Sequence, residues 1–417
     1  MTEDETLEYV ITERIFPDTK KPLGINVLEA ATQRLKVIYE AFDRVYISFS
    51  GGKDSTVLLH LAIQAAREAG KLPVHALFID LEGQYKFTIT HVEQMYAREE
   101  VDGWWICLPM TLRNAVSMYQ PFWICWDPEK REKWVREIPE HDNVISDPSF
   151  FPFFRFAMEF EEFIVEFANW YSNGDPTACG VGIRTDESLN RFRTIKNKHK
   201  ETFMGHMWTT RLKDSPYDCV YNFYPIYDWQ TEDIWIAVGD HSWEYNKLYD
   251  FAFMTGKTIH EMRICQPYGD DQRVGLDLFR RLEPETWVKV VDRVSGANYG
   301  NIYCQSFLLG HRKIVKPKGT NWRKYTEFLL DTIPRYVAEW FRGKIKTFIE
   351  WWMKHGYPLG IIPDEADQKL EGRKEVPSWR RIAKAILKND MICQSIGFSQ
   401  TKGQYAKLQA MKEEFGE

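Results

Sequence analysis

An open α/β architecture, doubly wound around a mostly parallel sheet and followed by a mostly α-helical C-terminal region, follows from three features of this chain. Short β-branched and aromatic runs alternate with amphipathic helical patterns up to about residue 240. A turn with two glycines, Ser50–Ser55, joins the first such run to a helix. Beyond Tyr245 the strand-like runs give way to helical patterns broken by Gly and Pro.

Over Asn26–Asp43, Val27, Leu28, Ala31, Leu35, Ile38 and Tyr39 recur at three- and four-residue spacing, which predicts an amphipathic helix capped by Asn26. Arg44–Phe49 (RVYISF) predicts a strand and Thr56–Glu68 a helix, with the glycine turn between them. Val74–Asp80 predicts a second buried strand, Thr88–Glu99 a helix and Trp104–Leu108 a third strand. Such regular alternation implies right-handed crossovers between parallel strands. Residues 121–156 break it with a segment dense in aromatics and proline, too long for an ordinary crossover, and read as an insertion. A helix over Met158–Tyr171, strands over Thr177–Ile183 and Tyr221–Ile226, and a helix opening on Thr231-Glu-Asp233 complete the sheet region. Trp322–Lys354 and Ser378–Lys388 predict helices. The expected organisation is a helical lead-in over 1–43, an α/β domain over 44–240 and a helical region over 241–417.

Composition sets limits. With 44% hydrophobic and 27% charged residues, 417 residues exclude collagen-like, coiled-coil and wholly disordered classes. The balance of 54 basic against 60 acidic side chains, a net charge of −6, confines any nucleic-acid contact to a local patch. An aromatic share of 15%, with 16 Trp, points to broad packed faces ahead of ligand platforms. Apolar runs are too short to cross a bilayer, and the acidic N-terminus lacks the layout of a secretory signal, so a soluble cytoplasmic protein is expected. Seven scattered cysteines without a C-x-x-C pair argue against a disulfide framework, a zinc ribbon and a closely spaced iron–sulfur ligand set.

The sharpest local signal is YISFSGGKDSTVLLHLA, residues 46–62. Two glycines between a buried strand and a helix let backbone N–H groups converge, and the helix N-terminus adds partial positive charge, so a phosphate fits there. Lys53 adds a point charge, and Ser50 and Ser55 add hydroxyls at the rim. The Walker A pattern fails, because Ile47 stands where its first glycine is required and Asp54 where Ser or Thr should follow the lysine.

SGGKDS after a strand resembles the pyrophosphate-binding loop of the adenine-nucleotide α-hydrolase superfamily. Three further segments resemble its phosphoadenosine-phosphosulfate reductase and sulfate adenylyltransferase small-subunit branch: Phe78-Ile-Asp80 with Gly83; Gly182-Ile-Arg184-Thr-Asp186-Glu187-Ser188 with Arg191; and Tyr224-Pro225-Ile226-Tyr227-Asp228-Trp229 leading to Asp233-Ile-Trp235. The resemblance spans residues 44–240 and implies a Rossmann-like sheet and cleavage of ATP between the α- and β-phosphates. On that basis Ser50, Gly51, Gly52, Lys53, Asp54 and Ser55 cradle the pyrophosphate, with Mg²⁺ neutralising its charge and Asp54 its candidate ligand. Asp80 meets the ribose or a metal-bound water, or else serves as a helix cap or structural salt bridge. Arg184 reaches an α-phosphate or anionic co-substrate, and Arg191, seven residues on, shares a helix face with it; the rival for Arg191 is an ion pair with Glu187. Lys53, Asp54 and Arg184 are the candidate catalytic residues. Trp229 and Trp235 are expected in the core.

The family's thiol-dependent reductases use a cysteine in a C-terminal Glu-Cys-Gly motif, which is missing here: Cys393 lies in MICQS, Cys304 in IYCQS and Cys265 in RICQP. Sulfonucleotide reduction and an iron–sulfur cluster are therefore disfavoured. Residues 283–301 and 377–400 resemble a subgroup described as co-activators of prophage gene expression that often accompany a ParB-like protein, which implies such a partner and a role in phage defence or regulation. Basic stretches at Arg191–Lys200, with five Lys or Arg in ten residues, and His311–Lys324, with six in fourteen, suit a solvated face or a polyanion, Trp322 being available to stack on a base. A third cluster comprises Arg373, Lys374, Arg380, Arg381 and Lys384.

Overall fold

The computed structural model describes residues 24–114, 120–197, 199–212, 216–217, 219–264, 266–269, 276–294, 316–317, 319–333, 335–355, 361–372 and 374–387, with positions 390, 393 and 396. Cys265, Arg373 and residues 295–315, with Cys304 among them, lie outside the described residues, as does the acidic lead-in before residue 24.

Helix α1 (Val27–Ala41) opens where expected, since the Asn26 side chain accepts from Glu29 N at 2.8 Å. It leads to β1 (Arg44–Ser48), helix α2 (Lys53–Glu68), β2 (Val74–Ile79), α3 (Lys86–Tyr96) and β3 (Val101–Ile106). After the short antiparallel pair β4 (Thr111–Arg113) and β5 (Phe122–Ile124) come β6 (Val144–Ile145), α4 (Phe160–Ser172), β7 (Thr177–Val181) and α5 (Leu189–Lys196). Strands β8 (Thr209–Arg211) and β9 (Val220–Phe223) and helix α6 (Thr231–Asp240) follow.

One seven-stranded sheet results, in the order β6-β3-β2-β1-β7-β9-β8, parallel throughout except for β8 against β9. The doubly wound, mostly parallel sheet inferred from the sequence is thus the observed one. The order runs outward from β1 in both directions, so the switch point lies between β1 and β7, where open α/β sheets form their ligand crevice at the carboxyl ends of the strands. Segment 121–156 is more than an insertion, because its Val144–Ile145 pairs with β3 and supplies the sheet's outer strand. Two residues carry too little periodicity to be read from sequence.

Both faces are covered, and the central strands are correspondingly apolar: Tyr46, Ile47, Ala76, Phe78, Trp105 and Ala178 are fully buried. The core does not end where the sequence changes character. Helices α7 (Leu248–Met254), α8 (Leu276–Leu282) and α9 (Pro284–Arg293) bury Leu248, Tyr249, Phe279, Trp287 and Val290 in the same cluster, and Leu23–Asn301 forms one compact unit.

The second unit, drawn from residues 302–417, contains α10 (Trp322–Thr332), α11 (Arg335–His355), α12 (Gln368–Gly372) and α13 (Trp379–Leu387). Trp322 is not available to a base: it is 3% exposed and donates from Nε1 to Glu365 at 2.8 Å. Nor do Arg380 and Arg381 form a surface patch. Arg380 is buried against Glu371 and Glu365 at 2.8 and 2.9 Å, and Arg381 donates to the Val376 carbonyl. Arg380 thereby links α13 to Glu371 on α12.

Candidate functional site

Helix α2 begins three residues earlier than its apolar periodicity suggests, with Gly52 as an extended N-cap and Lys53 as its first residue. Gly51 adopts φ +70°, a left-handed conformation that a side chain resists, and a Cβ there would lie 2.9 Å from Thr88 Cγ2. The first amides of α2 have no partner within their own helix, the kind of donor that holds an anion. The turn is braced from within. Ser55 Oγ accepts from Ser50 N at 3.1 Å, stands 2.9 Å from Ser50 Oγ and donates to the Gly52 carbonyl at 3.1 Å. Ser50 is exposed and Gly52 half-buried, which leaves a mouth to the turn, whereas Lys53 and Ser55 are buried.

Strand β7 runs beside β1 with Val181 opposite Ser48, so the chain leaving β7 passes directly over the turn. Gly182 makes that passage possible: a Cβ there would sit 3.0 Å from the backbone of Ser55. Two residues later, Arg184, 2% exposed, donates from Nε to Asp54 Oδ1 at 2.5 Å. Lys53 Nζ donates to Asp54 Oδ2 at 2.9 Å. One carboxylate therefore holds both cations. Burial pushes the Asp54 carboxyl up, but Lys53 and Arg184 outweigh that and keep it below the usual carboxylate range.

The Tyr224–Trp229 segment serves as the bed for this arginine. Arg184 donates to the Trp229 carbonyl and Thr231 Oγ1, both at 3.3 Å, while the Tyr227 carbonyl accepts from Thr185 N at 2.8 Å. The segment is pinned in turn by Arg34, which grips Asp228 with two nitrogens at 2.8 and 2.6 Å. Trp229 is buried in the core, as expected for it.

Arg191 does not share a helix face with Arg184. Residues 185–187 form a turn, Ser188 caps α5, and Arg184 precedes the helix altogether, because the Ser188 side chain accepts from Arg191 N and starts the helix there. Arg191 pairs with Glu187 one turn away. Asp80 is likewise set apart. It is 1% exposed, accepts from Trp105 Nε1 at 2.8 Å and Glu82 N at 3.0 Å, and pairs with Arg136. Among the described hydrogen bonds and ion pairs none joins Asp80 to Lys53, Asp54 or Arg184.

Three residues at the turn carried no sequence signal. Asn246 is fully buried and donates to the Gly51 carbonyl and to Thr88 Oγ1, each at 3.0 Å. Tyr249, on α7, accepts from Lys53 N at 2.9 Å through its hydroxyl. His91 lies 2.9 Å from Thr56 Oγ1 behind the first turn of α2, and burial pushes its pKa down to about 4. Asn246 and Tyr249 lie about 190 residues downstream of the turn, and no spacing rule links them to it.

The resemblance places Mg²⁺ at Asp54, but both oxygens of that carboxylate are already held by Lys53 and Arg184. Among the described residues no three His, Cys, Asp or Glu side chains gather as a cation site. These side chains do not fit the metal, and no role at Asp54 is assigned to it.

A glycine turn at the switch point of a doubly wound sheet, with an arginine delivered from the neighbouring strand, defines a class of open α/β proteins built around a strand–turn–helix. The chain belongs to the phosphoadenosine phosphosulfate reductase domain family, which it matches over residues 44–257. Residues 256–371 and 358–407 match a domain of unknown function, DUF3440. The chain is 41% identical over 389 residues to the uncharacterized protein YbdN of Escherichia coli strain K12, covering 92% of this chain and 93% of that one. It is 35% identical over 78 residues to sulfate adenylyltransferase subunit 2 of Mycolicibacterium vanbaalenii, covering 18% of this chain and 25% of that one. Among solved structures, the phosphoadenylyl-sulfate reductase of Candida auris is similar with a TM-score of 0.30 at 14% identity, over 60% of this chain and 93% of that one. No described helix is long and apolar enough to cross a membrane.

Proposed function

We propose that this chain binds ATP through residues 50–55 and cleaves it between the α- and β-phosphates. An acceptor oxygen, from a second substrate or from water, attacks the α-phosphorus; the bond to the bridging oxygen breaks, and pyrophosphate leaves with that oxygen and its electron pair. The observation that carries this reading is the meeting of the Gly51 turn, the α2 N-terminus, Lys53 and Arg184 at the switch point. Backbone N–H groups and Lys53 suit the leaving pyrophosphate. Arg184 suits the α-phosphate, with its other nitrogens anchored to Trp229 and Thr231 so that its orientation is set in advance. Phosphoryl-type transfer needs positioning and charge stabilisation ahead of any covalent group on the protein.

Four of the five described cysteines are placed against sulfonucleotide reduction, the exception being the half-buried Cys219. Cys107, Cys125, Cys179 and Cys393 are buried. Burial pushes their thiols up, that of Cys179 to about 12, away from the thiolate that thiol-dependent reduction requires.

Incubation with α-labelled ATP and Mg²⁺ should yield labelled AMP or an adenylylated product together with pyrophosphate. Lys53→Ala should abolish nucleotide binding by calorimetry with the fold intact; unchanged affinity in that variant refutes the assignment of the turn. A second reading, binding of nucleotide as a signal toward DNA or a ParB-like partner, draws on the exposed Phe192, Arg193 and Lys196 of α5. It requires binding without turnover and a DNA shift that weakens with salt.

A further inference from the structure

The α2 N-terminus is already capped. Its first amide, Lys53 N, donates to the Tyr249 hydroxyl at 2.9 Å, and a Cβ on Gly52 would lie 3.5 Å from that same oxygen. The Lys53 ammonium stands 5.8 Å from the centre of the Tyr249 ring. Helix N-terminal amides have no partner within their own helix, and a phosphate oxygen takes this kind of donor. The phenol oxygen of Tyr249 thus stands in for a phosphate oxygen, and the Asp54 carboxylate does the same toward Lys53 Nζ and Arg184 Nε.

The tyrosine is held in place by the turn it covers. Asn246 joins the two: its Nδ2 donates to the Gly51 carbonyl, and its Oδ1 accepts from Leu248 N at 3.0 Å, at the start of α7. Trp235 meets the ring edge-on at 5.3 Å. Toward its end α7 keeps Ala252 buried and Phe251 against Phe87, ring centres 4.8 Å apart, while Phe253 and Met254 are 63% and 78% exposed.

We propose that Tyr249 is a gate on the phosphate-binding turn: its hydroxyl caps Lys53 N in the resting protein, and a phosphate oxygen of the nucleotide displaces it. This rests on the assignment of residues 50–55 as a phosphate site. Because the hydroxyl and the phosphate compete for one amide, removing the hydroxyl favours the ligand.

The test is calorimetric titration of the full chain with inorganic pyrophosphate and with a non-hydrolysable ATP analogue, comparing the parent protein with Tyr249→Phe, which keeps the ring and its packing. Amide exchange at Lys53 is followed in parallel. Affinity should tighten by roughly two- to tenfold, the range of one net hydrogen bond. The Lys53 amide should exchange faster in unliganded Tyr249→Phe and regain protection with pyrophosphate. Binding by the variant alone also supports the gate. Equal affinities, or weaker binding by Tyr249→Phe, overturn it while leaving the turn a phosphate site. No binding by either protein overturns the phosphate site and the gate together.

Discussion

Glu82 and Arg293 form a buried ion pair whose removal should unfold the sheet domain well before any surface change does. Glu82 is fully buried at φ +63° and accepts from Arg293 at 2.6 and 3.0 Å, from Trp126 N at 2.7 Å and from Val135 N at 3.1 Å. Arg293 also donates to the Ile124 carbonyl at 2.7 Å. The pair ties the exit of β2, the 121–156 segment and α9 into one joint. Arg293→Met keeps the volume but leaves a carboxylate in the interior with two backbone donors and no counter-charge. Stripping one partner from such a pair costs about 3–5 kcal/mol. For a unit of this size that lowers the melting temperature by about 5–9 °C. Urea denaturation followed by tryptophan fluorescence reads the loss directly. Adding Glu82→Gln removes the stranded charge and still offers a carbonyl oxygen, so the double variant should recover at least about 1 kcal/mol over Arg293→Met. A loss below about 1 kcal/mol in Arg293→Met, or strict additivity in the double variant, refutes the reasoning.

Three further predictions concern the site. Asp54 titrates below its ordinary value of 3.8 in the folded chain, so the stability it contributes is complete above that value and is lost as pH falls below it; Asp54→Asn should flatten the acid limb of a melting-temperature profile. His91 is held neutral down to about 4, so it too favours the folded state above its unfolded pKa of about 6.5 and should cost stability between there and pH 4; His91→Gln should remove that portion of the slope. Gly182→Ala presses a methyl group against the Ser55 backbone at 3.0 Å, where no side chain can yield. A stability loss of about 1–3 kcal/mol by chemical denaturation, together with weakened nucleotide binding, is expected.

What the sequence made legible is local. The strand–turn–helix at residues 44–68 and the exit of β7 bearing Arg184 lie in segments where hydrophobic period, glycines and charge agree, and the structure brings them to one crevice. The contacts that finish the site are not local. Tyr249 and Asn246 reach the turn only because α7 packs on α2 and α3, and nothing in their neighbours distinguishes them from other half-polar core residues. Glu82 lay two residues from Asp80, inside a recognised segment, yet its partner Arg293 stands 211 residues away. Arg380 reads as part of a basic cluster until its carboxylate partners Glu371 and Glu365 are seen. Arg184 and Arg191 show the converse error, since helical spacing implies one face only when both residues belong to the helix.

The outer strands of the sheet are its shortest, two residues in β6 and three in β8, while β2 and β3 inside it have six. On the β6 side the backbone of β3 is shielded by Trp105 N donating to the Asn143 carbonyl and Cys107 N to the Ile145 carbonyl, both at 2.9 Å. An uncovered strand of that length and apolarity is a template for pairing with another molecule. The aromatic-rich segment therefore covers the β3 edge, and shortening it would lay that edge open to pairing with another molecule.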